Sequence, residues 1–159
     1  MKKAATFVAI LYGLFLLAGC SSTPPAAPTT DTISFKIIAQ GQHSGIGFEQ
    51  FFEIRHPDDW QTLWQRHSTS EPLPLINFQE TMLIAVFYGQ KQTSGYAIQI
   101  KRIIETPQQL IAHVELQKPA RHSQRNMMIT QPFMIVSLPR SNKPVSFHFQ
   151  QVDHAHTLR

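Results

Sequence analysis

A single cysteine, Cys20, among 159 residues excludes any disulfide within the chain. The fold must therefore be held by its core alone, even in a compartment that tolerates disulfides. A second cysteine is also missing from any zinc site, and no HExxH motif is present. The eight histidines are scattered, with His113 and His148 inside strand-like stretches and His154 and His156 near the C-terminus. A nucleophile-elbow GxSxG and a phosphate-cradling GxxxxGK[ST] are both lacking. His43 and Ser44 are adjacent in a glycine turn, where neighbouring side chains seldom point at each other. The ten acidic residues are dispersed rather than paired. On these grounds the chain is read as a non-enzyme, with no catalytic residue, cofactor or metal assigned. No clustered basic face appears either, which argues against a nucleic-acid partner.

Long apolar runs are scarce. The longest, AATFVAILYGLFLLAG at 4–19, covers sixteen residues and follows Lys2 and Lys3. A membrane-spanning helix needs about twenty, so the stretch suits the h-region of a signal peptide at 1–19. It ends in Leu17-Ala18-Gly19-Cys20, which resembles a bacterial lipobox, with small residues before the cysteine. Acylation of Cys20 explains why one cysteine suffices and gives the chain a partner in the lipid bilayer. Cleavage there would remove 19 of the 159 residues and two lysines, taking the formal charge from +4 to +2. Ser21, rather than Asp, after the cysteine favours the outer membrane, with the protein facing the periplasm. Residues 20–31 then form the lipidated cysteine and a linker. Its three prolines and small side chains cannot bury enough surface to order themselves. An extended proline-rich linker of eleven residues reaches about 30 Å.

The remainder, 32–159, is expected to form one domain, mostly of strands. Ile33, Phe35 and Ile37 alternate with Ser34 and Lys36, which predicts one strand. Residues 41–47 (GQHSGIG) form a turn-rich break, and FEQFFEIR offers a second strand. HPDDWQTLWQRHS predicts the one helix, with Asp58 or Asp59 as its cap and Trp60, Leu63, Trp64 and His67 on one face. Two tryptophans on a short helix read as a plug packed on a sheet. ETMLIAVFY is apolar on both faces and predicts a buried strand, with GYAIQIKRII as its hairpin partner. Two further strands are expected from QQLIAHVELQK and KPVSFHFQQV. A third, MMITQPFMIVSLPR, is interrupted at Pro132, which indicates an edge, a bulge or a bend. Without βαβ alternation, the pattern implies a mainly β (α+β) fold. The expectation is an antiparallel β-sandwich or open barrel of about seven strands with one short α-helix.

An ordered series of motifs carries a family resemblance: WQTLWQRH at 60–67, PLINF at 74–78, the apolar strand ending VFYG at 86–89, QTSGYAIQI at 92–100 and TQPFMIVSLPR at 130–140. Together they resemble the C-terminal domain of the PrcB family, named for a lipoprotein subunit of a bacterial surface protease complex. Ser94 stands where that family commonly has a glycine, and Asn77 where it often has Asp. The resemblance implies a non-enzymatic accessory lipoprotein that binds another protein, such as a protease or envelope complex. The candidate partner-binding loop is Gln90, Lys91, Gln92, Thr93 and Ser94 with Tyr96, joined by the basic loop KPARHSQRN. Gly89 and Gly95 are expected to take backbone conformations other residues resist. The alternative is a small-ligand or glycan-binding lipoprotein, which requires Tyr88, Tyr96 and the tryptophans to share an exposed cleft.

Overall fold

The structure is a computed structural model, which describes residues 31–68, 70–120 and 126–154. The expected signal peptide, Cys20, most of the linker, the centre of the KPARHSQRN loop and the tail after His154 lie outside the described residues.

Eight strands and one helix follow in order: β1 (Asp31–Ile33), β2 (Lys36–Gly41), β3 (Glu49–Ile54), α1 (Pro57–His67), β4 (Thr81–Tyr88), β5 (Ala97–Glu105), β6 (Leu110–Pro119), β7 (Phe133–Pro139) and β8 (Val145–His154). Two four-stranded sheets result, in the orders β1-β5-β6-β8 and β2-β7-β4-β3. They stack as a sandwich that does not close into a barrel, and α1 covers the outer face of the second sheet.

This three-layer arrangement explains the run at β4, which is apolar on both faces. Met82, Ile84, Val86 and Tyr88 enter the core between the sheets, beside Ile98, Ile100, Val114 and Val136. Leu83, Ala85 and Phe87 enter a second core, against Trp60, Leu63, Trp64 and Ile135. A strand covered on both sides loses the polar alternation that a one-sided strand shows.

The helix is the plug its spacing predicts: Trp60 is 2% exposed and Trp64 4%. Both indole N–H groups donate to carbonyls of the proline-broken segment that follows, Trp60 to Pro74 (3.0 Å) and Trp64 to Glu71 (3.0 Å). That segment has carbonyls to spare because it joins no ladder. The helix start differs from expectation. Its cap is His56, without a side-chain hydrogen bond, and Pro57 is the first helical residue. Asp58 and Asp59 lie inside the first turn, where they complement the helix dipole rather than cap it.

Three further expectations are corrected. The alternating stretch from Ile33 splits at Ser34-Phe35, with β1 in one sheet and β2 in the other. Ile33 and Phe35 still pack inward, since a strand can change sheets at the side of a sandwich without losing its alternation. Second, β5 is not the hairpin partner of β4. It pairs with β6 and β1, so residues 89–96 cross between sheets. The alternation of β5 is the same in either sheet, so periodicity could not separate the two. Third, β6 and β8 pair in parallel. The chain leaves the first sheet for β7 and returns, reversing direction twice. Pro132 sits just before β7, a central strand, and so lies outside the ladder rather than at a sheet edge.

Candidate functional site

The ladders fix which loops share an end of the sandwich. Tyr88 at the end of β4 pairs with Glu49 at the start of β3, and Gly41 at the end of β2 pairs with Phe133 at the start of β7. Residues 41–48, the crossover 89–96 and the segment 126–132 therefore lie together. Asp31 pairs with Glu105, at the other end of β5. Nine residues of strand, at about 3.4 Å each, set the chain's point of entry roughly 30 Å from the loop cluster.

Hydrogen bonds knit the three segments into one surface. The N–H of Gln90 donates to the Gly47 carbonyl (2.8 Å), and the N–H of Gln131 to that of Gln42 (2.7 Å). Lys91 and Thr130 form an isolated antiparallel bridge. Ser94 and Asn126 exchange bonds, Ser94 N–H to Asn126 O (3.1 Å) and Asn126 N–H to Ser94 Oγ (3.2 Å). Ser94 thus has its own role where the family commonly carries glycine. Gly89 (φ 70°) and Gly95 (φ 93°) both take the left-handed region, as expected of them.

Of the six candidate loop residues, only Gln90 and Gln92 are exposed. The other four help to build the crossover. The Lys91 ammonium lies 3.7 Å from the centre of the Tyr88 ring and 5.7 Å from that of Tyr96, and the two rings meet edge-on at 6.0 Å. Burial lowers the Lys91 pKa, opposed by the nearby Glu49 carboxylate. Burial likewise raises that of Tyr88. The carbonyl of Thr93 accepts the Thr130 hydroxyl at 3.4 Å.

Four large apolar side chains are also exposed at this end and were not singled out from the sequence. Phe48 is 78% exposed and Met127 87%, and Met128 and Ile129 are about half exposed. Phe48 adjoins Gly89 on one side of the crossover, and 127–129 flank it on the other through Asn126 and Thr130. Met127 to Ile129 lie outside β7, which begins at Phe133, although the sequence pattern runs them into one strand. Three successive apolar residues without alternation were the available signal that they lie outside it.

The 41–47 loop is fastened to the end of α1. Gly45 N–H donates to the His67 carbonyl (2.8 Å), and a Cβ at Gly45 would clash with the Arg66 carbonyl oxygen. Ser44 Oγ lies 2.9 Å from His67 Nδ1 and accepts the Ile46 N–H (3.1 Å). His67 is buried against Trp64, Phe87 and Phe133. Burial lowers its pKa, with Glu71 acting weakly the other way. Among the described residues no carboxylate hydrogen-bonds this imidazole. A nucleophile, base and orienting acid need to be in contact, and the pair is a packed strut instead.

The sequence profile of the family described as PrcB C-terminal matches residues 82–139. This stretch runs from β4 to β7 and includes the crossover, and there the resemblance drawn from the motifs is borne out. No curated protein and no solved structure matches the chain.

Proposed function

With residues 82–139 matching the PrcB C-terminal family, we propose that this protein is a non-catalytic accessory subunit, anchored at Cys20 and binding another protein through the loop end of its sandwich. The partner is a protease or another envelope complex. One observation carries the reading: an exposed apolar rim of Phe48, Met127, Met128 and Ile129 around a rigid polar crossover, at the end opposite Asp31. Exposed apolar side chains gathered at one end of a domain, interleaved with polar groups, are common material of a protein interface. Acylation of Cys20 and an outer-membrane, periplasm-facing location place that rim away from the bilayer. The resemblance supplies the protease as partner class.

The alternative, a glycan or small-ligand module, lacks its aromatics. Trp60, Trp64 and Tyr88 are all buried and Tyr96 is half-buried, so the four do not share an exposed cleft.

Affinity capture from detergent-solubilised envelope tests the proposal, comparing wild type with Phe48→Asp/Met127→Asp and with a control, Gln61→Ala, on the exposed face of α1. The expected result is one stoichiometric partner with wild type and control, lost with the double variant. Equal recovery by all three would place the interface elsewhere. Cys20→Ser should release the protein from membranes, and unchanged retention and size would remove the anchor.

A further inference from the structure

The outer face of the first sheet carries an arrangement that the loop end does not explain. The register of β5 shifts between Ile100 and Arg102. Such a bulge inserts one extra residue and turns two successive side chains to the same face. Ile100 and Ile103 are buried while Lys101 and Arg102 are both exposed. Arg102 pairs with His113 on β6, and His113 pairs with His148 on β8. Three nitrogenous side chains thus form one row across three strands, with Lys101 beside it.

The row borders a depression of about 360 Å³, whose polar lining is Lys101, Arg102, His113, Glu115, His148 and Gln150, with Val114 and Phe149 as its apolar part. The two imidazoles lie 5.5 Å apart, edge to face. Glu115 is the one carboxylate lining it. It accepts the Gln117 amide (3.1 Å) and lies 4.0 Å from the Lys101 ammonium. Among the described residues, the side chains of Arg102, His113 and His148 have no hydrogen-bond or ion-pair partner. Like charges directly opposite across strands disfavour one another. Burial lowers the His113 pKa, and Arg102 and His148 lower it further. An anion in the depression would reverse that repulsion.

We propose that this depression binds a tetrahedral oxyanion, a phosphate or sulfate group, held by Arg102 and Lys101 with the imidazoles of His113 and His148 as further donors. The guanidinium supplies a planar fork that matches two oxyanion oxygens. The bulge brings Lys101 in beside it as a point charge. Protonated imidazoles add charge-assisted donors, so binding tightens as pH falls. The groups facing the anion are Lys101 and Arg102 from β5, His113 and Glu115 from β6, and His148 from β8. The site is separate from the apolar rim.

Inorganic sulfate is the probe, because its charge is constant over the pH range in which histidine titrates. The full chain in a non-ionic detergent is titrated while the imidazole resonances of His113 and His148 are followed by NMR. Saturable shifts of both rings are expected. Binding should be about tenfold tighter at pH 5.5 than at pH 8, the effect of a one-unit rise in a single imidazole pKa. Lys101→Gln/Arg102→Gln should lose the shifts while unfolding at the wild-type temperature. Absence of shifts in wild type, or equal shifts in the double variant, would overturn the proposal. Competition by phosphatidylglycerol vesicles but not phosphatidylcholine vesicles assigns the oxyanion to a lipid headgroup. Competition by neither assigns it to a soluble anion. Both outcomes require the site.

Discussion

Gly89 and Gly47 make a matched test of how the loop end is built. A Cβ at Gly89 would meet Glu49 N at 2.8 Å, Phe48 C at 2.9 Å and the Gly47 oxygen at 3.1 Å. All three are backbone atoms of the neighbouring segment, so no side chain can rotate away. The residue also holds φ at 70°, which costs a residue bearing a Cβ about 1–2 kcal/mol. Forcing backbone apart in a packed region adds roughly 1–3 kcal/mol. Gly89→Ala should therefore destabilise the domain by about 2–5 kcal/mol, a large share of the ~5–15 kcal/mol available to a domain. At Gly47 a Cβ would meet nothing within 4 Å, and its φ lies outside the left-handed range. Gly47→Ala should be neutral, or stabilising by up to about 1 kcal/mol through the unfolded chain. Urea unfolding of both variants against wild type, followed by tryptophan fluorescence, measures the difference. Both tryptophans are buried in the helix–sheet core, so the signal follows global unfolding. Equal midpoints for the two variants would refute the close packing of 41–48 against the crossover. In a stable Gly89→Ala variant, partner capture should also fall, because Phe48 is carried by the segment that must shift.

Other predictions follow from the helix and its fastening. Trp60→Ala empties the centre of the second core and should cost about 3–5 kcal/mol in urea unfolding. Trp60→Phe keeps most of the volume and loses the bond to Pro74, so a smaller loss is expected. Ser44→Ala leaves His67 Nδ1 and the Ile46 N–H without their Oγ partner, and should cost about 1–3 kcal/mol. Burial holds the His67 pKa below its ordinary value of 6.5, so the unfolded chain binds a proton more readily than the folded one. The His67 contribution is therefore complete above about pH 6.5 and is lost as pH falls through the lowered folded value. The urea midpoint of wild type should drop between pH 7.5 and pH 5. His67→Asn, which retains a polar atom near the Nδ1 position, should flatten that drop, and an unchanged pH dependence would show that His67 is not its source.

The sequence by itself determined the element types, because they rest on local period. Trp60, Leu63, Trp64 and His67 repeat as only a helix face can, and Ile98 and Ile100 alternate as a strand covered on one side. It also determined where the backbone needs glycine, at Gly89 and Gly95, and it carried the family motifs that the match at 82–139 bears out. Only the tertiary structure decided which sheet each strand joins. Alternation reports that one face is covered and not what covers it, so β1 and β2 read as one strand and β5 read as the partner of β4. The same limit hides both the loop end and the Arg102–His113–His148 row. Residues 41–48, 89–96 and 126–132 are distant in the chain and meet only because β2, β3, β4 and β7 pair antiparallel. Arg102, His113 and His148 form a row only because β5, β6 and β8 pair in their particular register, with a bulge to set it.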